Sequence, residues 1–352
     1  MAYTDIDKPS DYFNTVLYTG TGSELAITGV GFQPDWTWIK RRDAVANGGM
    51  FDNVRGATKL LSSSQTDGEQ TLAQSLKSFD SDGFTLGTGT NGYVNTSAST
   101  TVAWNWLGAN GTASNTDGSI TSTVSANTTS GFSIVSYTGT GSVATVGHGL
   151  GSIPDMITVK NRSTGSTNWR SIFPNMVLGG ASNGADYNLN FNTTNPWNDG
   201  TEFNDTMPTS SVFTLGTAGD VNTNGDNYIA YCWKNIKGYS KIGFYTGNGS
   251  TDGTFIYTGF KPAFVIMKRT DTSASWFMKD NKRDPFNPAE QTLAPDSASS
   301  EAGWGTGDDI DLLSNGFKMK DNTTSTNLAG NTYIYMAFAE EPLVGDNPAT
   351  AR

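Results

Sequence analysis

The stretch Pro262-Ala263-Phe264-Val265-Ile266-Met267-Lys268 is an apolar run that opens with proline and ends with lysine. Runs of the same design occupy residues 34–40 and 154–160. A Tyr-Thr-Gly turn precedes each run, at Tyr18, Tyr137 and Tyr245. These turns lie more than one hundred residues apart, which is too long for solenoid or propeller units and suits whole small domains. The chain is therefore predicted to contain three copies of one domain.

Two later landmarks keep the same order in each copy. A turn followed by a short apolar strand occurs at residues 82–86, 211–215 and 315–319, and an aromatic-rich closing strand at 101–106, 228–233 and 333–338. We place copy 1 at residues 14–107, copy 2 at 131–236 and copy 3 at 238–341. A leader (1–13), a polar linker (108–130) and a tail (342–352) remain. Because only copy 1 is separated by a linker, copies 2 and 3 are expected to be rigidly joined, with copy 1 at a different angle.

Composition indicates an all-β chain. Charged residues make up 16% of the sequence and aromatic residues 11%, and 41 residues are glycine. Short strands joined by Gly, Asn, Ser and Thr turns produce this mix. The runs after the prolines are almost continuously apolar, as in strands covered on both faces. We predict three tandem antiparallel β-sandwiches of jelly-roll or concanavalin type, in which Trp104, Tyr231 and Phe338 are equivalent and buried.

Charge and hydropathy exclude several classes of partner. The net charge is −11 and no basic stripe is present, so nucleic acid is not expected as a partner. No apolar run approaches the ~20 residues that span a bilayer, and the N-terminus has no signal-peptide pattern. We expect synthesis in the cytoplasm and no membrane contact. The single cysteine, Cys232, allows no internal disulfide and is expected to be a buried apolar residue.

No constellation in the sequence predicts catalysis, a metal or a cofactor. The densest acidic stretch, Asp308-Asp309-Ile310-Asp311, precedes a turn in one copy only and is interpreted as a solvated turn. Asp80-Ser81-Asp82-Gly83 resembles the start of a calcium loop, but residues 211–212 and 315–316 occupy the later positions in the other copies and indicate turn chemistry. His148 is the only histidine, so neither a triad nor a histidine zinc site can form.

Lysines and tryptophans are the remaining candidates for function. Lys40, Lys160 and Lys268 recur at the end of the runs, which favours a structural role. Four tryptophans lie in the variable loops among Asn, Asp, Gly and Thr, a composition typical of sugar-binding or protein-binding loops: Trp169, Trp197, Trp276 and Trp304. Trp169 and Trp276 hold matching places, so a role as core lids is the alternative for both. The other two have no sequence counterparts and are the stronger candidates for partner contact.

Several stretches resemble a family of repeat proteins that is common in marine bacteriophages. They include Val30-Gly31-Phe32-Gln33-Pro34-Asp35, Phe51-Asp52-Asn53-Val54-Arg55-Gly56-Ala57-Thr58-Lys59, Gly147-His148-Gly149-Leu150-Gly151, Gly238-Tyr239-Ser240-Lys241-Ile242-Gly243 and the leader residues 7–13. The resemblance covers nearly the whole chain. It implies a virion structural protein with concanavalin-like or lectin-like sandwiches and no catalytic motif.

The expected function is therefore a non-enzymatic protein on the exterior of a phage particle. The first hypothesis is a tail-associated module that adheres to a host receptor or surface glycan and has other virion proteins as partners. A capsid decoration protein is the alternative, gripping the shell through its leader and a flat sandwich face. A polysaccharide depolymerase is the rival of a different class, because sandwich folds also host glycosidases.

Overall fold

The computed structural model describes residues 4–89, 92–177, 181–304, 307–345 and 348–350. Met1, Ala2 and Tyr3 of the predicted leader, and residues 346, 347, 351 and 352 of the predicted tail, lie outside this set. Almost all regular structure is antiparallel β-sheet, so the prediction of an all-β sandwich fold is confirmed. In the described part of the chain, no helix has the length and apolar character needed to span a bilayer.

Copy 1 forms a large and a small sheet. Its strands are β1 (Phe13–Thr19), β2 (Leu25–Ile27), β3 (Trp36–Arg41), β4 (Gly49–Asp52), β5 (Lys59–Ser62), β6 (Gln70–Thr71), β7 (Leu76–Asp80), β8 (Gly83–Leu86) and β9 (Thr100–Trp106). The large sheet has the order β1-β9-β3-β4-β5-β6 and the small sheet the order β2-β8-β7. A 3-10 helix, Pro9–Asp11, precedes β1.

Copy 2 and the linker together form one large and one small sheet. The strands are β10 (Ala113–Asn115), β11 (Ser122–Asn127), β12 (Phe132–Thr138), β13 (Ala144–Gly147), β14 (Met156–Asn161), β15 (Arg170–Ile172), β16 (Tyr187–Asn190), β17 (Asn198–Asp199), β18 (Val212–Leu215) and β19 (Asn227–Trp233). The orders are β10-β11-β12-β19-β14-β15-β16-β17 and β13-β18. Short helices occupy Thr201–Phe203 and Gly219–Asn222.

Copy 3 also forms a large and a small sheet. Its strands are β20 (Ser240–Thr246), β21 (Phe255–Tyr257), β22 (Phe260–Arg269), β23 (Trp276–Asp280), β24 (Ile310–Leu313), β25 (Gly316–Met319) and β26 (Thr332–Pro342), with a 3-10 helix at Glu301–Trp304. The large sheet has the order β20-β26-β22-β23 and the small sheet the order β21-β25-β24.

One strand order therefore occurs in all three copies. In each large sheet the first strand pairs with the last, the last with the strand after the proline, and that strand with its successor: β1-β9-β3-β4, β12-β19-β14-β15 and β20-β26-β22-β23. The register also matches, because the recurring lysines face equivalent residues: Lys40 faces Val102, Lys160 faces Ile229 and Lys268 faces Ile334.

The same register corrects one predicted equivalence. Phe338 pairs with Phe264 as Trp106 pairs with Trp36, whereas Met336 pairs with Ile266 as Trp104 pairs with Trp38. Phe338 is therefore equivalent to Trp106 rather than to Trp104. The error is a slip of two residues along β26, and such a slip leaves a side chain on the same face of the sheet.

A central core joins the three copies. Each sandwich has its own apolar interior, but the outer face of each large sheet packs against the other two. Large aromatic side chains from all three copies fill this central core: Trp36, Trp104, Trp106, Tyr231, Trp233, Phe264 and Phe338. Burial on both faces explains the almost continuous apolar runs. The expected independent angle of copy 1 is wrong, because its large sheet forms one wall of the shared core.

The leader and the linker pack against the copies. Ile6 and Phe13 are buried in the central core, and the Asp5 N–H donates to the Lys237 carbonyl over 2.9 Å. The predicted linker contains β10 and β11, and β11 pairs along β12, so this segment extends a sheet instead of acting as a spacer. Strands β1, β12 and β20 begin at one end of the molecule, and β9, β19 and β26 terminate there. We call this end the base.

Candidate binding site

The three recurring lysines tie the copies together. All three are fully buried, at 0% exposure, and each ammonium donates to a backbone carbonyl of another copy. Lys40 reaches Ser297 of copy 3 over 2.7 Å, Lys160 reaches Thr66 of copy 1 over 3.0 Å, and Lys268 reaches Thr194 of copy 2 over 3.2 Å. The contacts run from copy 1 to 3, from 2 to 1 and from 3 to 2. They close the three copies into a ring.

Burial has a measurable electrostatic consequence at these lysines. It lowers the pKa of Lys40, Lys160 and Lys268 to about 8 in each case, since the charged form loses its water. Protein oxygen atoms partly replace that water, as the bonds from Lys160 to the carbonyl and the hydroxyl of Thr167 illustrate. The predicted structural role thus has a specific form, a cationic contact between neighbouring copies.

Two of the three junctions between copies also contain a buried ion pair. Asp52 and Arg55 of copy 1 pair side by side with 0% exposure of either side chain, and Tyr231 of copy 2 donates its hydroxyl to Asp52 over 2.7 Å. Asp280 and Arg283 of copy 3 repeat the pair, with the Trp104 indole N–H of copy 1 donating to Asp280 over 3.1 Å. Each junction therefore buries a carboxylate that is satisfied from both copies.

A glutamate completes each of these charged junctions. Glu69 accepts from Arg162 over 2.8 Å and lies 3.4 Å from Arg55. Glu301 likewise accepts from Arg42 over 2.8 Å and lies 3.2 Å from Arg283. The glutamate N–H in each case donates to the backbone carbonyl of the arginine in the neighbouring copy, at 2.8 and 3.0 Å.

The third junction replaces this whole set with uncharged residues. Phe173 and Met176 of copy 2 stand where the other copies have Asp and Arg, and Met336 of copy 3 stands where Tyr231 and Trp104 donate. The Trp197 N–H donates to the Thr270 carbonyl over 2.9 Å, which is the backbone bond that Glu69 and Glu301 make elsewhere. Trp197 therefore has a structural counterpart in each of the other copies, and that counterpart is a glutamate.

Trp169 and Trp276 lie inside the central core. They are 0% and 2% exposed, and their indole N–H groups donate across the junctions to Ser62 O at 2.9 Å and Asn190 O at 3.2 Å. Their rings are covered by other side chains, so they cannot contact an external partner. The alternative interpretation, a position in the core, describes both residues. Copy 1 has Gly48 at the matching place, where an added Cβ would lie 3.0 Å from the Trp38 indole nitrogen. A tryptophan on the adjacent strand fills the equivalent space.

Trp197 and Trp304, which have no counterparts in the sequences of the other copies, are half-buried. Trp304 ends the 3-10 helix Glu301–Trp304 and packs edge-on against Phe277, with ring centroids 5.6 Å apart. Trp197 packs against the central core and against Tyr187, with ring centroids 5.1 Å apart. Both rings contribute to internal packing, and Trp197 also supports a neighbouring surface aromatic ring.

Tyr187 lines a hollow of about 410 Å3 on copy 2. Polar groups surround the ring: Ser182, Asn183, Asp186, Asp199 and Asp205. Asp186 accepts from the Asn183 N–H over 3.1 Å through one oxygen, while its other oxygen has no partner among the described residues. Partial burial, together with the charges of Asp186 and Asp199, raises the pKa of Asp205. An aromatic ring beside several hydrogen-bond acceptors is an arrangement that can bind a hydroxyl-rich ligand.

The other sequence candidates have local structural contacts. His148 is buried, with its ring nitrogens at 3.2 Å from Thr209 O and from the Leu150 N–H. Asp82 accepts the N–H groups of Gly29 and Gly31 at 3.0 and 2.7 Å, which joins two turns. Cys232 is a buried free thiol whose pKa burial raises.

Asp308 lies outside regular structure, as the solvated-turn interpretation expected, but it is half-buried. Thr326 donates to Asp308 over 3.1 Å and lies 3.0 Å from Asp321, so one hydroxyl bridges two acids. Burial raises the pKa of Asp308. Asp311, by contrast, forms an ion pair with Lys320 at 3.2 Å. Within the described ranges, no group of three or more His, Cys, Asp or Glu side chains has the arrangement of a metal site.

Sequence reasoning missed Tyr187 and the buried Asp–Arg pairs. The pairs had a readable signal, because Asp52-Asn53-Val54-Arg55 recurs as Asp280-Asn281-Lys282-Arg283 at matching places. Tyr187 had none, since β16 and β17 form a local extension of copy 2 and the hollow depends on how they fold.

The described residues form an all-β protein in which several antiparallel sheets surround one shared core. Residues 8–342 match the family model described as "Domain of unknown function (DUF7483)", so the chain belongs to that family. No curated protein matches the chain.

Proposed function

We propose that this protein is a non-enzymatic adhesion module on the exterior of a bacteriophage particle and that it binds a host surface glycan. The observation that carries the proposal is the hollow on copy 2, where the Tyr187 ring, supported by Trp197, lies among carboxylates and an amide. The apolar face of a sugar ring stacks on an aromatic side chain, while its hydroxyls donate to carboxylates. The phage setting rests on the resemblance of the motifs quoted above.

The shared core supports this role physically. A recognition loop is most effective on a rigid scaffold, because little conformational entropy is then lost on binding. β16 and β17 extend the large sheet of copy 2, and β15 connects them directly to the strands that line the central core. The hollow is thereby connected through one sheet to the central core.

The test uses the tyrosine ring itself. We expect Tyr187→Ala to weaken binding of the purified protein to host surface polysaccharide, and adsorption of particles carrying it, by about tenfold or more through loss of stacking. Tyr187→Phe retains the ring and should retain most of the binding. Phe286→Ala removes a 79% exposed aromatic ring from copy 3 and serves as the control. Unchanged binding by Tyr187→Ala would contradict the glycan site, and release of reducing ends from the polysaccharide would contradict the non-enzymatic role.

Capsid decoration is the second candidate, and one observation favours it. The leader, the connection between copies 2 and 3 and the start of the tail all meet at the base, as the contact between Asp5 and Lys237 and the close approach of Gly345 to Asp7 indicate. A base of this kind suits attachment to a shell. Particles that adsorb normally with Tyr187→Ala, but bind the protein in stoichiometric amounts over the capsid surface, would favour decoration over adhesion.

A further inference from the structure

A second hollow, of about 360 Å3, lies at the base beside copy 3. It is bounded by the connection between copies 2 and 3, the end of β21 and the start of the tail. Its lining includes the apolar or basic side chains Ile236, Lys237, Lys241, Tyr257, Leu343 and Val344, together with the neutral polar residues Asn235, Ser240 and Thr258. A space of this size takes one or two apolar side chains of a ligand.

The charge of this hollow is opposite to that of its surroundings. The chain carries a net charge of −11, yet no acidic residue in the described part of the chain lines this hollow, while Lys241 does. The hollow on copy 2 is lined by three aspartates, and a larger one between copies 1 and 3 by four acidic residues (Asp43, Glu290, Glu301 and Asp309) and one arginine, Arg42. Charge complementarity therefore favours an anionic group in this hollow.

Comparison with copy 2 indicates what kind of molecule fits on this side of copy 3. Tyr257 lies at the end of β21 as Gly147 lies at the end of β13, next to matching residues in the small sheets. In copy 2 the chain's own linker covers this position, and a Cβ on Gly147 would collide with the Asn115 side chain. In copy 3 Tyr257 is 59% exposed and Val344 46%. An extended polypeptide already occupies the equivalent side of copy 2.

We propose that the hollow at the base binds an extended segment of a partner protein that presents an apolar side chain next to a carboxylate. The apolar side chain packs between Tyr257 and Val344, and the carboxylate pairs with Lys241. The inference rests on the proposed function in one respect, since it identifies the contact that attaches the protein to the particle.

The first test uses two synthetic hexapeptides, one with alternating leucine and aspartate and one with lysine in place of aspartate. We expect only the acidic peptide to bind and to shift the amide resonances of Lys241 and Tyr257. Lys241→Glu should weaken binding by about tenfold or more, because it opposes like charges. Lys77→Glu in copy 1 is the matched control and should bind normally. Equal binding of both peptides, or no binding of the acidic one, would overturn the proposal.

The second test separates this inference from the proposed function. Phage particles carrying Lys241→Glu with Tyr257→Ser should incorporate less protein, while the purified variant melts at the wild-type temperature and still binds polysaccharide through Tyr187. Normal incorporation of this variant would overturn the docking site and leave the adhesion module intact. Absence of the wild-type protein from particles would instead refute the proposed function, and the peptide test would still decide the site. If the wild-type protein dimerises and the double variant does not, the occupant of the hollow is a second copy of this chain and not a partner protein.

Discussion

Removing one member of a buried ion pair should destabilise this protein far more than removing both. Arg283 is the test residue, because its side chain is 0% exposed and its guanidinium bonds Asp280, the Met278 carbonyl at 2.9 Å and Glu301 at 3.2 Å. In Arg283→Met the Asp280 carboxylate stays buried with hydrogen bonds but without its countercharge. We expect a loss of about 3–5 kcal/mol in the free energy of unfolding.

The matching residues of copy 2 provide the compensating change. Asp280→Phe with Arg283→Met installs the pair that Phe173 and Met176 form at the uncharged junction. No buried charge is then left over, although the Trp104 indole N–H loses its acceptor, which costs about 1–3 kcal/mol. The double variant should therefore be more stable than Arg283→Met alone, by roughly 2 kcal/mol.

Guanidinium denaturation, followed by tryptophan fluorescence and far-UV circular dichroism, measures both variants. Lys282→Met, which removes an exposed cation next to Arg283, is the control and should change stability by no more than about 0.5 kcal/mol. The reasoning fails if Arg283→Met loses less than about 1 kcal/mol, or if the double variant is no more stable than Arg283→Met alone.

Three further outcomes can be measured on the same protein. The pKa of Lys160 is about 8 in the folded protein and has an ordinary value of 10.5, so the folded protein releases this proton at a lower pH than the unfolded chain does. Wild-type stability should therefore rise with pH between these two values. Lys160→Met should reduce the slope of a plot of denaturation midpoint against pH. Trp106→Ala should cost about 3–5 kcal/mol in the same melts through loss of burial and a cavity, whereas a loss under about 1 kcal/mol would place the ring outside the core. Gly48→Ala should lower stability by about 1–3 kcal/mol because its Cβ meets Ser63 Oγ at 2.6 Å, and an unchanged melting temperature would contradict this close packing.

The sequence predicted the elements of the fold better than their assembly. Landmark order and apolar runs identified the paired strands, because a strand buried on both faces is apolar at nearly every position and is easily recognised in sequence. The runs could not show what covers each face. The outer face of β3 could equally have met another sandwich, a partner or the linker, and the shared core became visible only in the contacts of Trp36 with Phe132 and Tyr231.

The candidate site was harder to predict because counterparts in the copies differ in chemistry. Trp197 has no aromatic counterpart in sequence, and this absence favoured a binding role. Its backbone hydrogen bond identifies Glu69 and Glu301 as the structural counterparts, although neither resembles tryptophan. Tyr187, which lines the hollow, carried no signal in a loop rich in Asn and Asp. Backbone hydrogen bonds show which residues are equivalent in the three copies, whereas sequence comparison detects only similarity between side chains.

The uncharged junction explains how the ring keeps its order. Replacing only one member of a charged set leaves a buried charge or an unpaired donor, so the residues are compatible only when they change together. Copies 2 and 3 meet through Phe173, Met176 and Met336, whereas Asp52 and Asp280 face a donor from the next copy. Placing Met336 opposite Asp52 would leave that carboxylate without the hydroxyl of Tyr231. Each copy therefore fits one neighbour, and the junctions specify a single cyclic order within one chain.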